Sequence, residues 1–123
     1  MRPRLPVATL GLVGALVLLR LWMDWGAAEA ALSAGARQTG HPWEPWRLVT
    51  AGLLHASWEH LAMNGGALLV VGALLEPVLG PARLLLLFVG TSVAGHFLSA
   101  LLRPAATSVG SSGAVFGWCG ALL

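Results

Sequence analysis

Charge is scarce in this chain. Only 10% of its 123 residues are Asp, Glu, Lys or Arg, whereas a soluble domain carries about 25%. Lysine, isoleucine and tyrosine are missing altogether. The seven arginines are thinly spread, so there is no basic cluster to grip nucleic acid. A single cysteine, Cys119, excludes an internal disulfide and reads as a small packing residue. What is abundant is apolar: 57% of residues are hydrophobic and the mean hydropathy is +0.79. This is the composition of a membrane protein.

A transmembrane helix needs about 20 mostly apolar residues. Residues 5–25 supply a first candidate, with Arg20 and Asp24 spaced to pair along one face. A second starts at Leu48 or Leu54 and runs to Leu75, its stretch 61–75 without charge, and residues 84–102 hold a third. A fourth opens near Ser112, and the sequence stops at Leu123 before it can cross. A long loop is expected over 26–46, a tight turn over 76–83 around Pro77, Gly80 and Pro81, and a polar loop over 103–111. Trp22, Trp25, Trp43, Trp46 and Trp58 fall near span ends, where interfacial tryptophans belong. Arg2 and Arg4 with Ala28-Glu29-Ala30 also permit a signal-peptide reading, which Trp22 and Trp25 disfavour. The same two arginines tilt the orientation toward a cytoplasmic N-terminus. The expected fold class is all-α, a polytopic transmembrane helix bundle.

Two polar islands interrupt the apolar text. The first carries His55, His60 and Asn64 at the head of the second span. His60 and Asn64 lie one helical turn apart, and two hydrogen-bond donors on one face can hold a developing oxyanion. Interhelical hydrogen bonding is the plainer alternative for any one of them. A zinc site fits poorly, because His55 to Glu59-His60 is one residue too long for the H-x-x-E-H pattern, so no metal or cofactor is expected. The second island is Gly110-Ser111-Ser112-Gly113. A serine at a helix start sits beside unpaired N–H groups, which suits a nucleophile, although the motif taken alone reads first as a simple cap. Gly113, Gly117 and Gly120 line one face of the helix that follows and call for a closely packed partner, for which the chain shows no obvious candidate. His96 reads as a hydrogen-bonded packing residue and His41 as solvated.

Together the islands resemble the rhomboid family of intramembrane serine proteases. The resemblance rests on Trp46-Arg47 closing the first loop, on His55, His60 and Asn64, on Glu76 before a turn, and on Gly110-x-Ser112-Gly113 opening the fourth span. It implies Ser112 as nucleophile, with His60, Asn64 and the backbone N–H of Ser112 as the oxyanion site. It implies supporting roles for His55, Gly110, Gly113, Trp46 and Arg47. The implied activity is cleavage of transmembrane segments of other membrane proteins, on the extracytoplasmic side of the cell membrane.

The same resemblance implies at least six spans, with the general-base histidine on the sixth. Residues 1–123 are therefore expected to form an incomplete rhomboid-like transmembrane domain, inactive alone. The competing expectation is a non-catalytic rhomboid-like protein that binds client transmembrane helices. Partners in either case are membrane proteins and the bilayer.

Overall fold

The structure, a computed structural model, describes residues 5–37 and 44–123. Arg2, Arg4, His41 and Trp43 lie outside the described residues. Helix α1 (Val7–Trp22) starts behind Pro6 and is leucine- and valine-rich throughout. It does not stop where the sequence suggests. A wider helical turn over Met23–Ala27, with Gly26 at φ 103°, redirects the chain into α2 (Ala28–Gly35). Four alanines within 28–35 explain this, since alanine has the highest helix propensity. Ala31 and Leu32 of α2 then pack with Met23 and Leu54. The expected long loop is therefore partly helical. The i,i+4 pair forms as expected, Arg20 meeting Asp24 at 2.7 Å.

A single turn, α3 (Arg47–Thr50), leads through a loop to α4 (Trp58–Leu79). Ser57 caps α4 by accepting a hydrogen bond from the backbone N–H of His60 at 3.1 Å. The turn expected over 76–83 shrinks to Gly80, at φ 80°. Pro77 is accommodated in the last turn of α4, and Pro81 opens α5 (Pro81–Leu102), where its missing N–H costs nothing. Helix α6 (Ser112–Ala121) ends the described chain. Three segments are long and apolar enough to cross a membrane: Val7–Gly35, Trp58–Leu79 and Pro81–Leu102. This is an all-α membrane helix bundle.

The core lies between α1, α4, α5 and α6. Its buried members include Leu16, Leu61, Leu68, Leu75, Leu84, Phe88 and Trp118. Trp118 is fully enclosed, edge-on to Phe88 with ring centres 6.2 Å apart. It fits because Gly72 leaves room: a Cβ there would lie 2.9 Å from the indole and 2.5 Å from Thr9. Outward side chains such as Leu74, Val78, Leu86, Phe97 and Leu101 are exposed and apolar, as a lipid-facing surface requires.

The glycine face of α6 finds its partner inside the chain, contrary to the sequence reading. A Cβ on Gly113 would meet the Thr91 carbonyl at 3.0 Å and Gly95 Cα at 3.2 Å, and one on Gly117 would overlap the Thr91 side chain. Helix α5 thus covers Gly113 and Gly117. Gly120 has nothing within 4 Å.

At the opposite end of the bundle, Glu76 accepts hydrogen bonds from the backbone N–H groups of Ala8 and Thr9 and from the Thr9 hydroxyl, at 2.7–2.9 Å. A carboxylate on these unpaired N–H groups ties the start of α1 to the end of α4.

Candidate active site at the start of α6

The loop over 103–111 is held from three sides before it delivers Ser112. Arg37 and Ser108 exchange backbone hydrogen bonds of 3.1 and 2.9 Å, and the Arg37 guanidinium donates to the Ala106 carbonyl at 2.6 Å. The Gly110 N–H donates to the Ala51 carbonyl at 2.8 Å. His96, on α5, reaches both Ser108 Oγ (2.9 Å, through Nδ1) and the Gly110 carbonyl (3.1 Å, through Nε2). His96 is hydrogen-bonded, as the sequence suggests. Its partners, and the part played by Arg37 and Ser108, are findings of the structure. The only signal in the sequence is a histidine placed within a span, beside Gly95.

Gly110 is buried at φ 108°, a conformation that favours glycine. Space requires glycine as well. A Cβ at this position would lie 2.4 Å from His60 Cε1, 2.7 Å from His60 Nε2 and 3.4 Å from Asn64 Nδ2. The backbone at Gly110 is therefore pressed against both donors of α4.

The two serines diverge. Ser111 is fully buried, its hydroxyl 3.2 Å from His55 Nε2. Ser112 is exposed and lines an open cleft of about 480 Å³ that His60, His96, Ser108 and Phe116 also line. His55 is enclosed, with its ring edge-on to that of His60 at 5.1 Å. Burial, then the neighbouring His60 and Arg20, push its pKa down to about 4, against a smaller opposing effect of the Leu53 carbonyl, so it is neutral at pH 7.

Trp46 and Arg47 do not line the cleft. Arg47 is buried, donates to the Ser33 and Ala36 carbonyls at 2.6 and 2.9 Å, and pairs with Glu44. It ties α3 to the end of α2. Trp46 is half exposed. The structure thus gathers His55, His60, Asn64, Gly110, Ser111 and Ser112 at one end of the bundle and leaves Trp46-Arg47 as a brace beside it.

A family model for the rhomboid domain matches residues 42–123, which takes in His55, His60, Asn64 and the segment from Gly110 to Ser112. The chain belongs to the rhomboid family. It is 42% identical over 99 residues to rhomboid protease GluP of Bacillus subtilis (strain 168), covering 80% of this chain and 18% of that protein. It is 40% identical over 81 residues to putative rhomboid protease YdcA of the same organism, covering 65% and 41%. It is also 34% identical over 80 residues to inactive RHOMBOID-like protein 8 of Arabidopsis thaliana, covering 65% and 23%. The chain spans less than half the length of these relatives. In this rhomboid chain, the exposed Ser112 at a helix start and His60 open on the same cleft, with buried Asn64 behind them against Gly110. Chemically, such an arrangement can present an oxygen nucleophile and hydrogen-bond a negatively charged oxygen.

Proposed function

We propose that this chain is part of an intramembrane serine endopeptidase that cleaves transmembrane segments of other membrane proteins. The observation that carries the reading is the convergence of exposed Ser112 with His60 and Asn64 around Gly110. In this reading Ser112 Oγ attacks the scissile carbonyl carbon. Its proton passes to a base, and the carbonyl oxygen becomes an oxyanion held by His60, Asn64 and the Ser112 N–H. Among the described residues no hydrogen bond reaches the Ser112 hydroxyl, and the family resemblance assigns the base to a later span. A serine protease lacking one triad member keeps only a small residue of its activity, so residues 1–123 alone are expected to be silent.

The test uses the full-length protein that carries this sequence. Ser112→Ala should abolish both cleavage of a reporter transmembrane substrate and labelling by a fluorophosphonate. Ser111→Ala should leave both measurable. Asn64→Ala should lower turnover by about 10²–10³ with thermal stability kept. Activity that survives Ser112→Ala would overturn the assignment. In this reading the site faces the extracytoplasmic side of the cell membrane, and a cysteine at Ala105 should then label from outside and one at Ala82 only after permeabilisation.

Similarity to the inactive Arabidopsis protein favours a second reading, a non-catalytic binder of client transmembrane helices. Client capture with no Ser112-dependent cleavage would select it.

A further inference from the structure

We propose that Ser111 is a positioning residue for Asn64, acting through His55. The inference rests on the oxyanion role given to Asn64 under Proposed function. Its starting point is an imbalance around one nitrogen. The Ser111 backbone N–H donates to His55 Nε2 at 3.4 Å. An N–H can only donate, so Nε2 carries the lone pair and the ring proton sits on Nδ1. The Ser111 hydroxyl and the Asn64 amide nitrogen each stand 3.2 Å from the same Nε2. Three donors face one lone pair. His55, Asn64 and Ser111 are all buried, so water cannot relieve the excess.

The consequence falls on Asn64. The Ser111 hydroxyl and backbone N–H satisfy His55 without help from the amide. Asn64 is then only loosely held, with its nitrogen near the space that Gly110 leaves open. It can give its hydrogen bond to an oxygen that gains negative charge. Without the Ser111 hydroxyl, the His55 lone pair falls mainly to Asn64. The amide is drawn toward the ring and away from the Gly110 side. Ser111, buried and turned from the cleft, thereby sets how readily Asn64 donates.

The experiment compares Ser111→Ala, Ser111→Thr, Asn64→Ala and the Ser111→Ala/Asn64→Ala double variant in the full-length protein. Ser111→Ala should lower kcat roughly three- to tenfold, the effect of one neutral hydrogen bond, with KM unchanged. Ser111→Thr should restore most of the loss. In the Asn64→Ala background, Ser111→Ala should cost nothing further. A purely structural Ser111 would instead give additive losses. A second measurement needs no activity: the Asn64 side-chain amide resonance, in 15N-labelled protein, should move downfield in Ser111→Ala as its bond to His55 strengthens. Additive kinetic losses with an unmoved amide resonance would overturn the proposal. If the wild type cleaves nothing, the protease reading fails by itself, and the amide shift still decides whether Ser111 and Asn64 compete for His55.

Discussion

The His96 Nε2–H donates to the Gly110 carbonyl across 3.1 Å, joining α5 to the turn immediately before the two serines. A carbonyl can only accept, so the proton sits on Nε2 and Nδ1 accepts from the Ser108 hydroxyl at 2.9 Å. One neutral imidazole therefore fixes both ends of the segment 108–110. His96→Ala should leave the buried Gly110 carbonyl without a partner and destabilise the protein by about 1–3 kcal/mol. Unfolding followed in detergent checks this, with Phe97→Ala on the exposed side as control. Equal effects from the two would remove His96 from its bracing role.

The α5–α6 contact depends on the absence of side chains. Gly95→Val should push the helices apart, because even a Cβ there lies 2.9 Å from Gly113 Cα. Overpacking of this kind typically costs about 1–3 kcal/mol. Gly120→Ala should be neutral or slightly stabilising, since nothing lies within 4 Å and alanine favours the helix. Thermal unfolding of the pair should separate them clearly.

Glu76→Gln should loosen the start of α1. The glutamate presents only acceptors to three donors from Ala8 and Thr9. A glutamine must turn an NH₂ toward at least one of them. Charge-assisted hydrogen bonds of this kind are worth about 1.5–3 kcal/mol. Faster hydrogen exchange at Ala8 and Thr9, with α5 unaffected, is the expected signature.

His55 should make stability depend on pH in one window. Its folded pKa of about 4 lies below the 6.5 of the free side chain. Between these values the unfolded chain binds a proton that the folded chain refuses, so stability falls as pH drops from 6.5 to 4 and is level above it. His55→Gln should remove that part of the slope. A slope identical in both proteins would show that His55 is not held neutral by burial.

The sequence by itself determined the class of the protein and the contents of its polar islands. Long apolar stretches with little charge dictate membrane helices, and the 100° helical step brings His60 and Asn64 onto one face. These are local matters, legible along the chain because backbone geometry repeats. Helix ends were less legible: alanines carried 28–35 into a helix, Pro81 was absorbed at the first position of α5 where its lost N–H is tolerated, and α4 ran on through Pro77 despite the helical hydrogen bond it removes.

Tertiary structure decided everything that depends on which elements meet. Nothing along the chain links Gly113 to Gly95, Arg37 to Ser108, or His96 to Gly110, and no periodicity of α6 could name α5 as the cover for its glycines. Those partnerships arise only when the packed helices bring distant backbone within hydrogen-bonding or van der Waals reach. That reach is set in three dimensions by the side chains that are absent as much as by those present.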